Sequence, residues 1–327
     1  MNNFKKIGLT ALAASLVSVS AHAGEMSVAG SASLNVEGFS GEELNAGKGY
    51  TMSNQLTFTG SGELDNGLTV SLSFVQDNGE STFDSHSLTI ASDAMGTLKF
   101  NGEGGTTAAS SIDGSAAGDV WDKFDALTNA TSPAAIGLSS TNDSLTATAG
   151  DNSFMYTSPE LMEGLTLVGS YKPQAGTSDT RSSGTGLGVN YTGIEGLTLK
   201  FARADVVNST KALSGDETVM YASYAFGPAT VSYSKWESDI DTADTGMELT
   251  SVAISYTVND ELSLTYGMEE ADSESSSTDA EFETLSLSYV TGGMTISAGM
   301  HEAENAAFDT GSHSDIEKWT LGASFAF

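Results

Sequence analysis

The sequence predicts an all-β fold: a transmembrane, closed antiparallel β-barrel of sixteen strands. Three observations predict it. After the first two dozen residues, apolar and polar side chains alternate with period two almost throughout, the mark of strands with two unlike faces. The connections alternate in length, short Gly/Asn/Asp/Pro turns against long acidic Ser/Thr/Gly-rich stretches, so one end of the structure is trimmed and the other elaborated. The polar face consists mainly of small hydroxyls, as suits a water-filled interior. Aromatics recur near strand ends at Tyr171, Tyr191, Phe226, Tyr233, Trp236, Tyr256, Tyr289 and Phe327, as in interface girdles. Closure removes every free strand edge, which a hydrocarbon layer requires.

The elements follow in order. Asn2-Asn3-Phe4-Lys5-Lys6 is a positive n-region, residues 7–19 are small and apolar, and Ala21-His22-Ala23 has the form of a signal-peptidase site. Residues 1–23 therefore read as a secretory signal peptide and 24–327 as the barrel. Strands are expected around 26–36, 55–61, 68–74, 88–90 and 98–100. They resume after the longest connection at 154–156, 165–171, 187–191, 197–201, 220–226 and 229–233. The last five lie at 252–258, 262–268, 285–289, 294–300 and 319–327. Tight turns include Asp65-Asn66-Gly67, Gly227-Pro228, Asn259-Asp260-Glu261 and Thr291-Gly292-Gly293. The long stretches cover 37–50, 77–83, 103–151, 172–183, 205–215, 237–246, 270–280 and 302–315. Asn66-Gly67-Leu68-Thr69, Glu163-Gly164-Leu165-Thr166, Glu195-Gly196-Leu197-Thr198 and Gly292-Gly293-Met294-Thr295 form a quasi-repeat that opens the strand after a short turn.

Composition narrows the function. Twelve Lys+Arg against 43 Asp+Glu give a net charge of −31, two units more negative once Lys5 and Lys6 are removed. That field excludes a nucleic-acid footprint. The absence of cysteine excludes disulfide staples, thiolate metal sites and a cysteine nucleophile. No P-loop, dinucleotide fingerprint or G-x-S-x-G elbow occurs, and no nucleophile–base pair assembles, so no enzyme is expected.

Phe154-Met155-Tyr156-Thr157-Ser158-Pro159, with Gly164-Leu165-Thr166 and Ser170-Tyr171 after it, resembles the strand–turn–strand segment that follows the third loop of the alphaproteobacterial general-diffusion porins. The last strand, ending in Phe327, resembles their aromatic C-terminal signature for the outer-membrane assembly machinery. The resemblance implies a homotrimer in the outer membrane, in contact with lipid and lipopolysaccharide. It also implies passive flow of ions and small hydrophilic solutes, and a long third loop folded into the lumen.

Residues 103–151 are the candidate constriction loop, being far longer than a structureless connection usually runs. Within them, 119–127 is expected to form a short helix with Trp121, Phe124 and Leu127 on one side. Asp113, Asp119, Asp122 and Asp125 would then face the passage. Strand parity turns Lys99, Lys200 and Lys318 inward on the opposing wall. The family pattern of a basic wall is thinned here, since Arg181 and Arg203 are the sole arginines and Arg203 shares parity with Leu199 and Phe201. A lumen with many carboxylates and few bases should favour cations. Asp239, Asp241 and Asp244, with Asp272 and Glu274, are candidate oxygen ligands for structural Ca²⁺, without EF-hand spacing; no cofactor is otherwise called for. The rival readings are a channel selective for a sugar or other nutrient, and a non-transporting acidic surface protein.

Overall fold

The computed structural model describes residues 25–41, 48–77, 85–112, 114–124, 152–173, 182–208, 214–241, 246–308, 310 and 314–327. The expected signal peptide lies outside them. The strands are β1 (Glu25–Gly41), β2 (Lys48–Glu63), β3 (Thr69–Asp77), β4 (Ser85–Ser92), β5 (Gly96–Glu103), β6 (Ser153–Thr157), β7 (Leu165–Lys172) and β8 (Ser182–Ile194). They continue as β9 (Leu197–Asn208), β10 (Gly215–Phe226), β11 (Ala229–Ile240), β12 (Met247–Thr257), β13 (Leu262–Ser273), β14 (Ala280–Thr291), β15 (Met294–Glu304) and β16 (Ile316–Ala326). Each pairs antiparallel with its sequence neighbours, and β1 pairs β16 to close the barrel. Every strand read from the alternation is present, in order. At the seam, Phe327 and Gly30 exchange backbone hydrogen bonds of 3.0 and 2.7 Å.

A barrel of one sheet has an inner and an outer face, and burial reads them apart. On β13, Gly267, Glu269, Ala271 and Ser273 are buried, while Leu264, Tyr266, Met268, Glu270 and Asp272 are exposed. The same alternation runs along β9 to β12 and β14 to β16. The exposed set carries the large apolar groups, among them Leu199, Tyr233, Ile254, Leu285, Leu321 and Phe325. That is the inverse of a soluble protein: apolar outside, hydroxyl and small residues inside.

Two expectations are corrected. The strands run further into the acidic stretches than their sequence suggests: β1 reaches Gly41, and β13 and β14 leave only 274–279 between them. The reason is that the acids there still alternate. Glu270, Asp272, Glu281, Glu283, Glu302, Glu304 and Glu317 take the outward positions of strand ends. They therefore form an outer rim above the apolar band and do not sit in free loops. Cross-strand register sets Glu270 opposite Glu281, Glu281 opposite Glu304, Glu283 opposite Glu302, and Glu302 opposite Glu317. Like charges opposite one another cost stability, so the rim must be well solvated, and it fixes where the apolar band stops. Trp236, assigned above to an aromatic girdle, shares the inward parity of Ser234. It is 2% exposed and donates its indole N–H to Glu217 Oε1 at 2.6 Å.

Candidate pore constriction

Inward parity on β7, β11 and β12 presents Ser170, Ser234 and Ser251. A row of small hydroxyls on a β wall offers acceptors and donors to any backbone laid across it, since unpaired N–H groups there would cost free energy. Residues 107–112 and 114–124, between β5 and β6, use that row. Ala108 N–H donates to Ser170 Oγ at 2.9 Å, Ala116 N–H to Ser234 Oγ at 2.7 Å and Ala117 N–H to Ser251 Oγ at 2.8 Å. Ser234 Oγ also donates to Gly114 O at 2.7 Å.

The strongest anchor is Glu269 on β13, 3% exposed. Its carboxylate accepts from Ser115 Oγ, from Trp121 N–H at 3.0 Å and from Ser251 Oγ at 3.3 Å. Ser115 in turn accepts from Asp119 N–H at 2.7 Å, and Gly118 and Asp119 take left-handed φ values of 88° and 51°. This turn launches a 3-10 turn, Trp121–Phe124, within the stretch 119–127 expected to be helical; residues 125–127 lie outside the described residues. Trp121 and Phe124 are buried together as expected, with Phe124 5.9 Å from the ring of Phe282 on β14. Ala108, Ala109, Ile112 and Val120 complete the apolar cluster against Val168, Trp236 and Leu249. The largest hydrophobic core of the described residues thus lies between this segment and the inner wall.

Gly267 shows how close the approach is. A Cβ built there would stand 2.5 Å from that of Ala117. Only a residue without a side chain leaves room at this point of β13.

The predicted residues fall as follows. Asp119 and Asp122 are exposed on the segment, whereas Asp113 and Asp125 lie outside the described residues. Lys318 on β16 points inward and its side chain is only 9% exposed. Its Nζ donates to Lys123 O at 2.7 Å, pairs with Glu37 at 2.9 Å and stands 4.8 Å from the Phe39 ring centroid. It pins the 3-10 turn to the wall. Lys99 on β5 and Lys200 on β9 have inward parity elsewhere on the wall, Lys200 lying 5.6 Å from the Tyr221 ring centroid. Lys123 is a further cation of the site. Its Nζ donates to the carbonyls of Gly118 and Asp119 at 2.9 and 3.1 Å. Burial pulls its pKa below the ordinary lysine value, against the opposing pull of Glu269, Asp119 and Asp122. Arg203 is outward, as its parity indicates, and pairs with Asp216 at 2.8 Å.

Asp239, Asp272 and Glu274 line one cavity beside Glu237 and Glu248, while Asp244 lies outside the described residues. Among the described residues, no three acids or histidines converge closely enough to hold a metal ion. Sequence reasoning missed Glu269 and Lys123. Parity with Ser263, Thr265 and Gly267 was the available signal for Glu269, hidden because Glu269-Glu270 opens an acidic run.

A closed barrel, apolar outside and hydroxyl-lined inside, defines a membrane-spanning channel. The chain belongs to the Gram-negative porin family, whose model matches residues 8–327. It is therefore an outer-membrane β-barrel and a diffusion channel by family. No curated protein sequence matches it significantly. Solved structures share its fold at low identity. OmpT, an outer membrane protein of Vibrio cholerae, is 14% identical with a TM-score of 0.64, over 94% of this chain and 99% of that one. An anion-selective porin from Comamonas acidovorans is 15% identical with a TM-score of 0.66, over 93% and 99%. A variant of the Rh. blastica porin is 14% identical with a TM-score of 0.63, over 93% and 100%.

Proposed function

We propose that the chain forms a passive, cation-favouring pore for ions and small hydrophilic solutes, narrowed by the stretch 103–151. The observation that carries the reading is the seam joining residues 107–112 and 114–124 to the wall through Ser170, Ser234, Ser251, Glu269 and Lys318. A segment so held shrinks the lumen without blocking it, and it presents Asp119 and Asp122 to the remaining water. The inward lysines are few, and Lys318 is neutralised by Glu37. Fixed carboxylates at a narrow, low-dielectric passage concentrate cations and repel anions. The anion selectivity of the Comamonas protein belongs to that protein, at 15% identity.

Three further readings belong to this proposal. Removal of residues 1–23 precedes membrane assembly. Phe327, at the barrel seam, is the terminal residue that the assembly machinery engages. The barrels associate as homotrimers, as the family resemblance implies. Selectivity is tested by the zero-current potential across a planar bilayer in a KCl gradient. A potential of the sign set by K⁺ is expected. One near zero, or of the chloride sign, refutes the cation preference and leaves the pore itself standing.

A further inference from the structure

One buried titratable group inside the barrel has no part in the seam described above. His301 faces inward on β15 and is 3% exposed. On the same face of β15, Ser297 is exposed while Gly299, His301 and Ala303 are buried, so a cover begins at Gly299. That cover is the docked 3-10 turn. Phe124 packs on Phe282, two residues from Thr284 on the inner face of β14. Lys318, opposite His301 in register, donates to Lys123 O at 2.7 Å.

Two threonines pin the ring. Its Nδ1 lies 2.8 Å from Thr284 Oγ1 on β14 and its Nε2 3.1 Å from Thr320 Oγ1 on β16. The ring lies across Gly299, where an added Cβ would stand 2.5 Å from Nε2. A neutral imidazole donates through one nitrogen and accepts through the other, and hydroxyls answer both roles. An imidazolium donates through both, and hydroxyls accept both. Protonation therefore leaves the ring tied to the wall, with its new charge held under the turn. The inner faces of β14 and β15 carry no other charge near it. Around them stand Lys318 on β16, paired to Glu37 on β1, then Glu269 on β13, and Asp119, Asp122 and Lys123 on the segment. Glu269 is taken up by Ser115, Trp121 and Ser251. The charges that act on the ring are Lys123 and Lys318.

We propose that His301 is an acid-sensitive latch on the constriction: once protonated, it adds a third positive charge beside Lys123 and Lys318 and releases the 3-10 turn from the wall, widening the pore reversibly. Histidine is the side chain suited to such a change of charge on mild acidification. The strands are held by their ladders, so like-charge repulsion is relieved by movement of the turn. The inference rests on the reading that this segment narrows the pore. The test records single channels of the full chain in a planar bilayer at pH 7, 5 and 4, in 1 M KCl. That salt mutes exposed carboxylates as they titrate, while buried charges largely escape it. Wild type is compared with His301→Gln, whose amide can meet both threonines and takes no charge. Conductance of wild type should rise about 1.5-fold from pH 7 to pH 4, with added flicker, and return at pH 7. His301→Gln should keep its step size throughout. Heat-modifiable gel mobility checks folding at each pH, and His301→Asn repeats the comparison. An equal acid response in wild type and variants overturns the proposal, as does narrowing, or no response, in wild type. Failure of the pore reading itself shows separately, as absent steps at pH 7.

Discussion

Glu269 anchors the segment inside the barrel through its carboxylate. It lies buried and accepts from a side chain and a backbone N–H of the inner segment, as well as from Ser251. Replacing it with alanine strands those donors, at about 1–3 kcal/mol for a buried group left unpaired. We expect Glu269→Ala to lower the temperature at which the barrel unfolds on a gel and to make single-channel current noisier. Glu269→Gln, which keeps one acceptor oxygen, should fall between it and wild type. Lys123 supplies a pH signature. Burial lowers its pKa, so it discharges at a lower pH than a free lysine. The folded chain then binds fewer protons than the unfolded one between the lowered value and the ordinary one, so stability rises with pH through that window. The lumen also loses a positive charge there, and cation preference measured by zero-current potential should increase on the alkaline side. In Lys123→Met this increase should be absent.

At the scale of elements, the strands were the most legible part of the chain. Period two places each of them because one face meets lipid and the other water, and a slip of one residue would exchange those faces. Their far ends were less legible. In 270–283 the acids alternate with Ala271, Ser273 and Phe282, a strand pattern, yet composition alone reads as loop because outward positions above the apolar band are free to be charged. Trp236 shows the same weakness in reverse. Its type suggested an interface girdle, and only the parity it shares with Ser234 told that it packs inward. The docking of the inner segment could not be read from sequence, since its partners are scattered over β7, β11 to β14 and β16. Its closeness to β13 yields a prediction: Gly267→Val should collide with Ala117 and lift the segment from the wall. Larger conductance with unchanged barrel mobility on a gel is the expected result, and unchanged conductance would count against close packing at this point.

For the whole molecule, the net charge of −31 describes geography more than solubility. Acids gather on the outward strand ends and on the inner segment, while the band between Leu197 and Phe201, or between Trp319 and Phe327, is free of outward charge. The fold therefore sorts charge by height, and Asp119 and Asp122 stand exposed on the segment inside the barrel. In the proposed function, residues between β5 and β6 narrow an open pore. Single-channel conductance in a planar bilayer tests it most directly, wild type against a chain with residues 114–124 excised. Discrete steps are predicted for both, larger by roughly twofold or more in the excised chain. Steps of equal size, or no steps from correctly folded wild type, would contradict the account.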